Sequence, residues 1–337
     1  MSHGLTFRED GTVEAAFAER LPWHDLGTRA EQAMTSIEAM RLAYLEWLVH
    51  QYPAYMKLND GTFREVPEFK FNARSDNQFV MGVVKNNYKV VQNIDAFQIT
   101  DSLIMDGIMK YESAFSLNGG KDVVLLAKLP TVDTVVEGDD SHRYLLMVLN
   151  HAGIKCIQWL PTSVRVVCGN TTRLALGKGK GQIIKIRHTG DMNHKLTDAR
   201  NTLLEINEAF TTENNKFRVM ASRTITPPEF KEYMNFLYPV PSVTDTDFTF
   251  RKQQKQRDIR MVIQHNFLEH PNQRLEGIKM SQYAAYNAVT QYEDHRTFRG
   301  KDESSKAETR FKTTMLGEAN DVKIKARTFW NDKVSSN

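Results

Sequence analysis

One stretch constrains this chain more than any other. Tyr111-Glu112-Ser113-Ala114-Phe115-Ser116-Leu117 is followed by Asn118-Gly119-Gly120 and then by the apolar run at 123–129. Asn and Gly tolerate the positive φ angles of a tight hairpin turn, so the stretch predicts two antiparallel strands. A second hairpin follows, with strands at 144–149 and 154–160 around His151-Ala152-Gly153. Ahead of both, 79–84 and 88–91 read as short strands flanking Lys85-Asn86-Asn87, and 95–105 as a short helix. Together they predict an antiparallel β-meander.

Helical signals surround it. Thr35 and Glu38 have capping-box spacing, and Ile37, Met40, Tyr44, Leu45 and Leu48 recur at helical intervals up to Tyr52-Pro53. Pro161-Thr162-Ser163 reads as a helix start with Val164, Val167, Cys168, Thr171, Leu174 and Ala175 on one face; the β-branched residues there also permit a strand. Residues 182–187 form a strand candidate. Leu196, Ala199, Leu203, Ile206 and Phe210 mark one long helix. Beyond 211 the pattern is helical, with a start at Thr226-Pro227-Pro228-Glu229, a stop at Tyr238-Pro239, a Ser/Thr/Asp-rich linker to Thr249, and helices at 251–270, 281–293 and 306–330. The expected architecture is α+β: a meander with packed helices over 1–210, then a helical C-terminal part over 211–337.

Composition removes whole classes of function. At 337 residues, 41% hydrophobic and 25% charged, the chain is globular rather than disordered. Cys156 and Cys168 support neither a disulfide framework nor a thiolate zinc site. No apolar stretch approaches the roughly 20 residues of a membrane helix, and MSHGLTFRED lacks an apolar signal core, so a cytoplasmic protein is expected. Net charge is only +3, so attraction to a polyanion has to come from local clustering.

A catalytic set does not emerge. Gly177-Lys178-Gly179-Lys180-Gly181 lacks phosphate-loop spacing, and no dinucleotide fingerprint, His-Glu-x-x-His or Gly-x-Ser-x-Gly occurs. His24, within Pro22-Trp23-His24-Asp25, reads as a local anchor or a general base. Glu112 lies inside a strand and reads first as a cross-strand partner for Lys or Arg. No metal or cofactor is called for.

Positive charge is unevenly placed. Arg165, Arg173, Lys178, Lys180, Lys185, Arg187 and Lys195 face only Asp191, with His188 and His194 in the same span. On a strand, Lys185 and Arg187 share one face, leaving Ile184 and Ile186 to pack inward. A second cluster, Arg251, Lys252, Lys255, Arg257 and Arg260, divides between two sides of a helix and reads first as a solvated surface.

These motifs resemble a known family, the phage- and plasmid-borne proteins grouped as domain of unknown function 932. The resemblance is carried by Pro22-Trp23-His24-Asp25-Leu26-Gly27-Thr28, Gly82-Val83-Val84, Tyr88-Lys89-Val90-Val91-Gln92-Asn93, the Tyr111 to Gly120 hairpin, Arg165-Val166-Val167-Cys168-Gly169-Asn170-Thr171, Arg187-His188-Thr189, and Asn287-Ala288-Val289-Thr290-Gln291-Tyr292-Glu293-Asp294-His295. It implies a mobile element in a bacterial host and no defined activity. The residues then favour a single-stranded nucleic-acid binding protein, similar to annealing recombinases, that works as an oligomer without nucleotide hydrolysis. Lys178, Lys180, Lys185, Arg187 and His188 would hold phosphates, Arg165 and Arg173 would line the groove, and Tyr88 and Tyr111 would stack on bases, with Phe115 and Trp159 as further aromatic faces; most of these rings read equally as core. The alternatives are an interaction protein or inhibitor that binds a host protein, and an enzyme built on Glu112, His24 or His188.

Overall fold

The computed structural model describes residues 5–19, 26–102, 110–165, 171–173, 184–246, 248–301, 306, 309–310, 313–314 and 317–335. The chain divides into two compact units. The first comprises Met1–Pro130, Tyr144–Pro161 and Ala175–Ala209; the second comprises Thr131–Arg143, Thr162–Leu174 and Phe210–Asn337. The helical C-terminal unit therefore also takes in ends of the meander strands.

Among the described residues the main sheet has eight strands. The Asn118-Gly119-Gly120 turn, all three residues at positive φ, joins β6 (Lys110–Leu117) to β7 (Asp122–Thr134) as an antiparallel pair. β8 (Asp140–Asn150) and β9 (Ile157–Arg165) follow in order. Neighbouring strands joined by such short connections run antiparallel, because a parallel return needs a crossover. β1 (Ala15–Ala18) pairs with β6, and β2 (Thr28–Ala30) lies parallel to β1. β10 (Thr171–Arg173) and β11 (Ile184–Ile186) both pair with β9. Residues 161–165 and 171–173 are thus strand, and the helix start read at Pro161 is corrected: the β preference of Val164 prevails once β9 has neighbours on both edges.

In the first unit, α1 (Ser36–Leu42) begins with the expected capping box, Thr35 N–H donating to Glu38 at 2.8 Å and Glu38 N–H to Thr35 Oγ1 at 3.3 Å. It is shorter than its apolar spacing suggests. Tyr44 adopts φ 54°, Leu45 N–H donates back to Met40 O and Tyr44 N–H to Arg41 O, which closes the helix and sends Leu48 and Tyr52 toward a strand. α2 (Asn93–Ser102) packs Phe97 on Tyr111 at 5.4 Å between ring centres, and Thr100 Oγ1 accepts from Trp159 Nε1 at 3.3 Å. The long helix expected through Leu196 and Phe210 is two helices, α3 (Met192–Leu204) and α4 (Ile206–Ala221).

The second unit gathers α5 (Pro227–Leu237), α6 (Phe250–Glu269), α7 (Gln282–His295) and α8 (Glu318–Ser335) around Phe217, Tyr233, Ile263, Phe267, Tyr286 and Trp330. The Thr226/Glu229 capping box opens α5 as expected. The helix expected over 306–330 is helical at 306 and 309–310 but is interrupted by a bend at 317, and α8 begins at Glu318. Residues 282–290 of α7 are all buried, and Lys323 pairs with Asp294 at 2.7 Å inside this core. No helix among the described residues is long and apolar enough to cross a membrane.

A second, three-stranded sheet belongs to the first unit: β3 (Val49–Lys57), β4 (Phe63–Arg74) and β5 (Val80–Lys85), all antiparallel. Residues 88–91, read as a strand, are irregular. Gly82 explains how closely this sheet is held: a Cβ there would lie 2.4 Å from Ala152 O. Gly82→Ala is therefore expected to destabilise the fold by about 1–3 kcal/mol, the usual cost of overpacking, read as a lower urea midpoint.

Candidate nucleic-acid interface

The small sheet has two unlike faces, and strand register assigns each residue to one of them. His50 opposes Ala73, Tyr52 opposes Phe71, Phe71 opposes Val83, and Phe69 opposes Lys85. Directly opposed residues share a face, so His50, Tyr52, Phe69, Phe71, Ala73, Val80, Val83 and Lys85 lie together. That face contains no carboxylate. It is also largely uncovered: Tyr52 is 39% exposed, Phe69 41% and Val83 55%. Beyond the bulge at Pro53, the hairpin continues as a ribbon with exposed Tyr55, Met56, Lys57, Phe63 and Arg64, and with exposed Glu65 directly opposite Tyr55.

The opposite face is fastened by buried polar groups. Asn72 Nδ2 donates to His151 O at 2.8 Å. Gln92 accepts from Val49 N–H at 2.8 Å and donates to Val49 O at 3.0 Å, completing the backbone pairing that β3 lacks at its start. Asn93 Nδ2 donates to Leu45 O at 3.0 Å, so its Oδ1 accepts from His151 Nε2 at 2.8 Å. Arg74, fully buried, reaches Glu14 at 2.5 Å and Asp76 at 2.6 Å and lies 4.3 Å over the Trp47 ring. Gln92 and Asn93 belong to the Tyr88 to Asn93 motif, whose role here is to anchor this sheet.

Four exposed cations cluster where the small sheet ends. Tyr88 N–H donates to Lys85 O at the turn leaving β5. The Tyr88 ring stacks on His188 at 4.6 Å, and Lys89 and His188 bond through Lys89 N–H to His188 O at 2.7 Å and His188 Nδ1 to Lys89 O at 3.0 Å. Lys85, Lys89, Lys185 and Arg187 are all exposed around this stack, and none makes an ion pair among the described residues. β11 behaves as its alternation predicts, with Ile186 buried and Lys185 and Arg187 in solvent. A groove of about 430 Å³ lies along it, with Lys185, Arg187 and Lys195 in the lining and Asp198 as the lining acid. Asp198 lies 3.1 Å from the His194 ring, both exposed, and Lys195 Nζ donates to Thr189 O.

The other expected site residues fall differently. His188 is buried, and burial lowers its pKa, so it is neutral at physiological pH and unsuited to hold a phosphate. Tyr88, Tyr111 and Trp159 are buried in the first unit and offer no free ring face; Tyr111 OH donates to Asp101 at 2.8 Å. Phe115 packs beside Phe17. Glu112 sits in the β6 bulge and pairs with Lys128 of β7 at 3.4 Å, the cross-strand role expected of it. The Arg165 and Arg173 side chains, and Lys178, Lys180, His24 and Cys168, lie outside the described residues. In the Arg251 cluster, Arg260 is spent on the end of α5, donating to Tyr238 O at 2.7 Å and Met234 O at 3.1 Å. Among the described residues no group of three or more His, Cys, Asp or Glu is placed to hold a metal. Sequence reasoning missed Tyr52, Phe69 and Val83; alternation places them on one face, but no local signal says that the face is left uncovered.

These features define an α+β protein carrying a small sheet with one anchored face and one open aromatic face, edged by unpaired cations. The chain belongs to the family described as a domain of unknown function (DUF932), whose model matches residues 80–326. No curated protein matches the chain, and neither does any solved structure.

The buried histidines make the anchored face sensitive to acid. Burial lowers the His151 pKa to about 3, against 6.5 for a free histidine. Between those values the unfolded chain binds a proton that the folded protein refuses, so stability falls as pH drops from 6.5 toward 3. The folding equilibrium should lose roughly tenfold per pH unit through His151 alone. Urea midpoints recorded across that range should decline, and His151→Gln should flatten the decline relative to the parent.

Proposed function

We propose that this protein binds single-stranded nucleic acid, with bases stacked on the open face of the small sheet and phosphates held by Lys85, Lys89, Lys185 and Arg187. The observation that carries this reading is the uncovered, carboxylate-free face of His50, Tyr52, Phe69, Phe71, Val83 and Lys85. Aromatic rings exposed on a sheet accept any base through its π face, and each stacked base contributes roughly 1–3 kcal/mol. Lysine and arginine add a salt-dependent attraction by releasing counterions from the phosphates. Double-stranded nucleic acid hides its base faces and gains little from such a surface.

Holding the backbone by cations and the base by one face leaves the pairing edge free. That is the requirement of a strand-annealing protein, which needs no nucleotide hydrolysis. The family resemblance supports a phage or plasmid setting within a bacterial cytoplasm, and an oligomer would extend the stacking track. The same surface, if it took a protein partner instead, would bind with little dependence on salt.

Two kinds of substitution separate the two contributions. Lys85→Ala, Lys89→Ala, Lys185→Ala and Arg187→Ala should each weaken single-strand binding and lower the salt slope by roughly one counterion or less. Tyr52→Ala and Phe69→Ala should cost roughly 1–3 kcal/mol per stacked base and leave the slope unchanged. Fluorescence anisotropy with labelled oligonucleotides across a salt series measures both. No binding to single strands at low salt would refute the assignment and leave a protein-binding surface as the reading.

A further inference from the structure

The second unit contains a cleft that the nucleic-acid reading does not use. It has a volume of about 950 Å³ and lies between α6, α7 and the segment after α7. Its charge is one-sided. Lys255 of α6 and Arg299 line it, and neither makes an ion pair or hydrogen bond among the described residues. The lining carboxylate, Glu318, is already engaged by Arg296 at 3.1 Å, and Arg296 is held from behind by Glu293 at 3.1 Å. Glu293 in turn accepts from Tyr238 OH at 2.6 Å. Arg296 is thus a fixed wall, while Lys255 and Arg299 are available to a ligand.

A further feature points to more than a bare anion. Tyr292 and Phe298 supply ring surface in the same lining as the two cations. The volume lies near the upper end of small-ligand sites and far exceeds what a lone phosphate fills.

We infer that this cleft binds a nucleotide, with Lys255 and Arg299 on the phosphates and the base lying against Tyr292 or Phe298. Arginine suits this role because its planar fork matches phosphate oxygens. The site is independent of the open sheet face and is tested separately from it.

Calorimetric titration of the full-length protein with ATP, AMP and pyrophosphate at low salt tests the assignment. ATP should bind more tightly than pyrophosphate. Lys255→Ala and Arg299→Ala should each weaken ATP and pyrophosphate about tenfold. Phe298→Leu should weaken ATP but not pyrophosphate, since it removes ring surface and no charge. Lys185→Ala should leave ATP binding intact, whatever it does to oligonucleotides. Absence of ATP binding would overturn the assignment. So would equal affinity for ATP and pyrophosphate with no effect of Phe298→Leu, or loss of ATP binding through Lys185→Ala but not Lys255→Ala.

Discussion

The rest of the first unit depends on how the small sheet is held from one side only. Three strands with a bare outer face must bury the other one to be stable. Here Val49, Ala54, Met81 and Val84 are buried, and buried polar side chains fix where that face sits. Gln92 bonds both backbone groups of Val49, Asn93 bridges Leu45 O and His151, and Asn72 reaches His151 O. Gly82 removes the one side chain that would keep the sheet from approaching Ala152. Such groups contribute fully only when each has its partner, which ties the position of the sheet to a few residues. The outer face is then free to remain aromatic and open.

The same anchoring assembles the cations. Tyr88 and His188 are core residues, and their stack, with the paired backbone bonds between Lys89 and His188, brings the end of β5 beside β11. Lys85 and Lys89 come from one segment and Lys185 and Arg187 from another nearly a hundred residues later in the chain. The lysines are useful because the neighbours that place them are buried. Neutral His188 belongs to the support of this corner rather than to its contact surface.

Much of the fold was legible because local chemistry determined it. Asn118-Gly119-Gly120 can only turn, and Thr35/Glu38 and Thr226/Glu229 can cap. Errors arose where a periodic pattern outlasted its element. Leu45 and Leu48 continue a helical spacing after Tyr44 has already closed α1, and Pro161 begins no helix because β9 is paired on both sides. The aromatic face was not legible. Alternation along β4 places Phe69 and Phe71 on one side, but whether anything covers that side depends on contacts distant in sequence. For the same reason the sequence left Tyr88, Tyr111 and Trp159 open between stacking rings and core, and they are core.

The account is tested most directly by mapping where a bound strand touches the chain. An oligonucleotide carrying photoreactive bases, cross-linked at low salt and read by peptide mass spectrometry, should attach to peptides containing Tyr52 and Phe69. In the same complexes, Lys85, Lys89 and Lys185 should be protected from acetylation. Cross-links confined to α6 or α7, with those lysines still reactive, would contradict it.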